Sequence, residues 1–247
     1  MQEANDIETS ETLTARQGEV LDAVFDLLMK GGDAVTMTAV ARRASCSKET
    51  LYKWFGDRDG LLTASVRWQA SKVRAGSYDR HHLDANSLRE SLQGFWGNWL
   101  RVISGPKSIA LNRVAVSHAW SGKSNLGSIV LENGRFAIGE RLKPLLEDGR
   151  AAGLLDFDDT ETAFRTFFGL VSRDIQIRLL LGDRLEITEA EIAQDAARAT
   201  QQFFALYGAR DRASFEDRPA SFPPQPSETH PRGAPEDEDG KHKPPSS

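Results

Sequence analysis

Thr36-Met37-Thr38-Ala39-Val40-Ala41-Arg42-Arg43-Ala44-Ser45-Cys46-Ser47-Lys48-Glu49-Thr50-Leu51-Tyr52-Lys53-Trp54-Phe55 runs directly into Gly56-Asp57-Arg58-Asp59-Gly60-Leu61-Leu62. The Thr36 hydroxyl can cap the amides that follow it, and Met37, Val40, Ala41 and Ala44 then share one face of a short helix. After a turn at Ser45-Cys46, Ser47 can cap another helix in which Leu51 and Phe55 sit four residues apart on the buried side. Lys48, Glu49, Tyr52 and Lys53 are left facing outward. Gly56 closes this helix, and Asp57 caps the next, with Asp59 in a first turn where a carboxylate suits the helix dipole. Leu61, Leu62 and Val66 carry that helix inward. Two short helices joined by a tight turn thus present a basic, hydroxyl-bearing face of the size that enters a DNA major groove. On periodicity alone, the same charges serve equally well as a solvated face.

On the N-terminal side, Val20, Leu21, Val24, Phe25 and Leu28 form one apolar stripe that stops at Gly31-Gly32, which predicts a helix from about residue 13 to residue 30. Residues 1–12 read as a flexible arm. On the C-terminal side, helix-period segments continue without a convincing alternating strand. Turn signals recur at 78–86, Gly105-Pro106, 121–125, 149–159 and Gly182-Asp183, so the fold class is all-α. Ala163, Phe164, Phe167, Phe168 and Val171 make one stripe. Thr188 and Glu191 make a capping box ahead of Ile192, Ala196, Ala199 and Phe203. From residue 209 onward prolines accumulate beside the acidic run Glu236 to Asp239, with too few apolar residues to offset ordering entropy, so a disordered tail is expected.

Composition narrows the function classes. The 247 residues carry a net charge of -5, which argues against a surface that coats nucleic acid throughout. Between residues 42 and 58 the balance reverses, with Arg42, Arg43, Lys48, Lys53 and Arg58 against Glu49 and Asp57. No apolar run is long enough to span a membrane, and the acidic N-terminus is unlike a signal peptide, so a cytoplasmic location without membrane attachment is expected. One cysteine, Cys46, leaves no internal disulfide. His81-His82, His118, His230 and His242 show no metal-ligand spacing, so neither a metal nor a cofactor is expected. The Ser45-Cys46-Ser47-Lys48 run fits the S-x-x-K of serine acylases only superficially, because no K-T-G or S-D-N follows. The residues therefore point to a non-enzyme.

The 36–62 stretch resembles the tetracycline-repressor (TetR) family of transcriptional regulators. The resemblance rests on Thr36, Ala41, Ala44, on Ser47, Lys48, Thr50, Leu51, Tyr52 and Phe55, and on Arg58 opening the next helix, and it covers about residues 13–73. The sequence departs from the family pattern at Ser45 and Glu49, where glycine is common, and at Cys46, where valine is usual and an inert packed thiol is expected. The resemblance implies a three-helix helix-turn-helix DNA-binding domain over 13–73, a helical ligand-binding and dimerisation domain over 74–208, and a tail from 209.

It also implies roles. Ser47, Lys48, Glu49, Thr50 and Lys53 would supply base contacts, while Thr38, Tyr52 and Arg58 would mainly hold phosphates and fix register, with Thr36 a further DNA-binding candidate. Glu49 either accepts from cytosine N4 or pairs with Lys53 one turn on. Helices at 159–181 and 188–207 would pair with their symmetry mates through Phe164, Phe167, Phe168, Val171, Ile192, Ala196, Ala199 and Phe203, unless those stripes serve the chain's own core. For a small-molecule effector, Phe95, Trp96, Trp99, Asn112, His118, Trp120 and Phe136 supply aromatic walls and polar groups, with ordinary core packing as the alternative for each. The expected protein is a homodimeric repressor of double-stranded operator DNA, with helix four, about 57–74, as the lever that resets the spacing of the reading heads. The competing reading is a helical protein-interaction adaptor without DNA binding.

Overall fold

The computed structural model describes residues 13–31, 35–74, 76, 78–120 and 124–209. The expected N-terminal arm, and the expected disordered tail beyond Ala209, lie outside the described residues. The described chain is helical throughout: α1 (Ala15–Met29), α2 (Met37–Arg43), α3 (Lys48–Phe55), α4 (Arg58–Ala70), α5 (Ala85–Ser104), α6 (Pro106–Ala119), α7 (Leu126–Val130), α8 (Ala137–Ala151), α9 (Thr160–Ser172), α10 (Ile175–Leu180) and α11 (Glu189–Tyr207). A short 3-10 turn covers Arg80–His82, and a π-helical turn, Leu131–Phe136, joins α7 to α8. Extended pairing among the described residues is limited to the bridge between Leu155 and Gly208.

Local chemistry sets the helix ends. The Thr36 hydroxyl accepts from the Ala39 amide at 3.1 Å, Ser47 from Thr50 at 3.1 Å, and Asp57 from Gly60 at 2.8 Å, as their sequence positions suggest. The Thr188–Glu191 capping box forms as well. A further box, between Thr14 and Gln17, starts α1 and was not foreseen. Ser45 takes φ +51 in the turn between α2 and α3, a conformation that glycine adopts more easily. Arg16 of α1 clasps this turn, donating to the carbonyl oxygens of Ala44 at 2.6 Å and Ser45 at 3.0 Å.

Two apolar clusters hold the helices. One joins Val20, Leu21, Val24 and Phe25 of α1 to Val40, Leu51, Leu61 and Leu62, and it also takes in Leu111 and Val114 of α6 and Leu126 and Ile129 of α7. The core of the first four helices therefore extends past residue 73 into elements expected to belong only to the second domain. Lys107 of α6 reinforces this contact by pairing with Asp22 of α1 at 2.6 Å. The other cluster is built on α5, α8, α9 and α11 around Phe95, Trp96, Leu142, Phe164, Phe167 and Phe203.

This second cluster corrects the interface expected from the apolar stripes. Phe164, Phe167, Val171, Ile192, Ala196, Ala199 and Phe203 are each at most 3% exposed within one chain. Phe167 and Phe203 stack at 4.2 Å between ring centroids. Their surface is consumed by the protomer's own core, and Phe168, half-buried, turns toward a cleft described below. No helix of the described residues is long and apolar enough to cross a membrane.

Candidate nucleic-acid interface and ligand cleft

α3 is anchored by Leu51, which is fully buried, and by the half-buried Phe55, which meets Trp54 edge-on at 6.1 Å. Its opposite face leaves Lys48, Glu49, Tyr52 and Lys53 exposed, with Tyr52 at 53%. Thr36 and Thr38 are also exposed, around the start of α2. Thr50 is half-buried, and its hydroxyl lies 3.1 Å from that of Ser47, so both hydroxyls already serve the N-terminus of α3.

Glu49 is held at that N-terminus. Its own backbone amide, then the Ser47 hydroxyl, keep its carboxyl below the usual carboxylate range. Of the two alternatives weighed for Glu49, the ion pair with Lys53 does not form among the described residues, and the carboxylate stays on the exposed face. Arg58, expected to hold a phosphate, also has partners within the chain. Its Nε donates to the Val35 carbonyl at 2.8 Å and its Nη1 lies 3.5 Å from the Ser124 hydroxyl. It braces the approach to α2, while its side chain stays part-exposed.

The turn from α3 into α4 is tight. A Cβ on Gly60 would lie 2.0 Å from the Phe55 carbonyl oxygen, so only glycine lets α4 pass the end of α3 at this distance. Gly56, with φ +75, makes the reversal between the two helices. The orientation of the exposed α3 face thus depends on two glycines, the Ser47 cap and the Arg16 clasp.

A cleft of about 300 Å³ opens among α4, α5, α6, the π-helical turn and α9. Gln69 from α4, Trp99 and Val102 from α5, Ser108 and Asn112 from α6, Arg135 from the π-helical turn and Phe168 from α9 line it. Trp99 Nε1 donates to Ser172 at 3.1 Å, and Gln69 Nε2 donates to Ser108 at 3.3 Å, both buried. Of the seven residues expected in an effector site, Trp99 and Asn112 lie on this wall. Phe95 and Trp96 are fully buried behind it in the aromatic core, and His118 is half-buried elsewhere on α6. Trp120 and Phe136 are 98% and 55% exposed, so neither walls a cavity. Arg135, Gln69, Ser108 and Phe168 were not anticipated there, because aromatic content drew attention to the wrong side chains.

An all-helical chain with a capped, basic helix-turn-helix beside a helical body that holds a cleft defines a DNA-binding regulator class. Residues 20–64 match the family of bacterial regulatory proteins of the tetR type, and residues 90–209 match the AefR-like transcriptional repressor C-terminal domain. The structure resembles that of a TetR transcriptional regulator from Agrobacterium tumefaciens, with 42% identity, 80% of this chain and 97% of that chain covered, and a TM-score of 0.69. The flavonoid-responsive regulator FrrA is similar at 25% identity, covering 79% of this chain and 98% of that one, with a TM-score of 0.59. AlkX of Mycobacterium tuberculosis, an HTH-type transcriptional regulator, is 37% identical over 98 residues, 37% of this chain and 44% of its own. The chain spans between 24% and 44% of the length of the four curated relatives it matches. The chain belongs to the TetR family of transcriptional regulators. Its membership agrees with the expectation of a regulator and not an enzyme.

Proposed function

We propose that this regulator binds a palindromic operator as a homodimer in the cytoplasm, represses from it, and is released by a small molecule in the α4–α5–α6–α9 cleft. One observation carries the DNA reading: Lys48, Tyr52 and Lys53 stand exposed on one face of a helix whose other face is anchored by Leu51 and whose ends are both fixed. A lone unit of this size reads few base pairs, and a two-fold repeat supplies both affinity and the palindrome. Repression is supported by the match to the AefR-like repressor domain. FrrA responds to a flavonoid by its name, which supports a small-molecule effector without identifying the one used here.

Since the inward stripes of α9 and α11 are used by the core, a dimer built on these helices uses their exposed residues, such as Arg165 and Gly169 on α9 and Ala193 and Leu206 on α11. Selection of duplexes from a random library, with the bound stoichiometry measured by sedimentation, tests the reading. Enrichment of a palindrome with half-sites about one helical turn apart, or a multiple of it, and two chains per site supports it. Enrichment of no sequence, or one chain per site, contradicts it.

A further inference from the structure

Among the described residues, Arg135 is the one charged side chain that lines the cleft; the rest of the wall is apolar or amide and hydroxyl. Its guanidinium carbon lies 4.0 Å from the Phe168 ring centroid and 4.7 Å from that of Phe164. Stacking of this kind uses the flat face of a guanidinium and leaves its edge N–H donors free to bond. No hydrogen bond or ion pair occupies those donors among the described residues. Glu161, the acidic group that acts on Arg135, is itself bonded to Lys143 at 2.8 Å. Gln69 and Asn112 turn their amide nitrogens onto the hydroxyl and carbonyl of Ser108, at 3.3 and 2.8 Å.

Burial pushes the basicity of Arg135 below that of a free guanidinium, with desolvation as the main cause. A half-buried cation whose one acidic neighbour, Glu161, is already paired with Lys143, and which Arg165 also repels, is costly, and an anion arriving at its edge offsets that cost. One cation, with no second basic side chain on the wall, suits one negative charge and not a phosphate dianion. At about 300 Å³ the cleft lies at the lower end of the range for small-molecule sites, which suits a small ligand.

We propose that the cleft takes a small monocarboxylic acid with an apolar body, its carboxylate received in a forked pair of hydrogen bonds by Arg135. The inference rests on reading the chain as a ligand-responsive regulator. Arg135 sits in the π-helical turn, and its neighbour Asn133 accepts a hydrogen bond from Arg67 of α4 at 2.8 Å. A carboxylate that grips Arg135 therefore acts on the segment that holds the helix leaving the DNA-reading unit.

The test is calorimetric titration of the full chain with 3-phenylpropanoate and octanoate, and with their primary amides, which match them in size without the charge. The expected result is at least tenfold tighter binding of an acid than of its amide, a preference lost in Arg135→Gln and weakened but not lost in Arg135→Lys, which keeps the charge without the fork or the stack. Circular dichroism of each variant checks folding, and Val102→Phe, which fills the cleft, is expected to abolish binding of acid and amide alike. The proposal is overturned if the amides bind as tightly as the acids, if the preference survives in Arg135→Gln, or if no member of either series binds. DNA binding measured on the same preparations keeps the two readings apart. Amides that bind and release DNA leave the ligand-responsive regulator standing and remove only the carboxylate, whereas loss of DNA binding in every preparation strikes the regulator reading itself.

Discussion

Arg67, exposed on α4, donates from Nε to Asn133 Oδ1 in the π-helical turn at 2.8 Å. Beside this bond, Gly134 faces Val66, whose Cγ1 would lie 3.6 Å from an added Cβ, and Arg141 of α8 donates to the Ala70 carbonyl near the end of α4 at 2.6 Å. α4 is thus held along its length by the run from the π-helical turn into α8. The reading unit has a second attachment through α6, whose Lys107 pairs with Asp22 of α1. A lever built on α4 alone is therefore too simple, because movement of α4 must be accommodated at the α1–α6 contact as well.

Asn133→Ala removes the exposed bond from Arg67 and the part-buried bond from Asn133 Nδ2 to the Ile129 carbonyl, and is expected to lower stability by about 1–2 kcal/mol. Amide exchange in the second half of α4 should accelerate while α2 and α3 keep their protection. Urea denaturation and native-state hydrogen exchange check this, and unchanged exchange in α4 would show that the π-helical turn does not restrain it.

Gly60→Ala places a methyl group against the Phe55 carbonyl, which cannot yield as a flexible side chain would. Overpacking of this kind costs about 1–3 kcal/mol. The larger expected effect is on DNA binding, since relief of the clash requires α3 to move relative to α4. Thermal melting compared with duplex binding measures both; wild-type values in each would mean that the junction is looser than its geometry indicates.

Ser45→Gly relieves a positive φ and is expected to add about 1 kcal/mol, raising Tm by about 2–4 °C in a chain of this size. Arg16→Ala should act in the opposite direction, because it removes the clasp on the Ala44 and Ser45 carbonyls. A fall in Tm for Ser45→Gly would contradict the strain argument.

Tyr78 donates to Asp148 at 2.7 Å, and burial followed by this carboxylate raises its pKa to about 12. A folded-state pKa above the unfolded value of about 10 gives stability that is fully present below about pH 10 and is lost as the pH rises through about 12. Because the ring is only part-buried, solvent screening limits the contribution to about 1 kcal/mol. Denaturation series at pH 8 and pH 11 should show a larger loss for wild type than for Tyr78→Phe; equal losses would assign the alkaline sensitivity elsewhere.

The N-caps at Thr36, Ser47, Asp57 and Thr188 were legible because each is a contact between a side chain and an amide a few residues on. The Arg16 clasp was not, since 28 and 29 residues separate it from the carbonyls it binds. The stripes through Phe164 and Phe203 were legible as apolar faces but were assigned to a dimer interface, because periodicity carries no information on whether the covering surface belongs to the same chain. Trp120 and Phe136 misled because aromatic character favours burial without enforcing it. Phe136 ends the π-helical turn on its exposed side, and Ile138, two residues on and so on the opposite side of the helix, takes the buried place. Arg135, in the same turn, lines the cleft, and its charge gave no reason, in the sequence, to place it in a pocket.

Binding of the purified protein to DNA flanking its own gene, against a random duplex of equal length and at two salt concentrations, tests the central claim most directly. The expected result is preferential binding that weakens steeply with salt and is reduced by Tyr52→Ala, with Lys53→Ala narrowing the preference for that DNA over the random duplex. Failure to bind any duplex even at low salt, or binding that is indifferent to Tyr52 and Lys53, would contradict the account and favour a helical adaptor that does not read DNA.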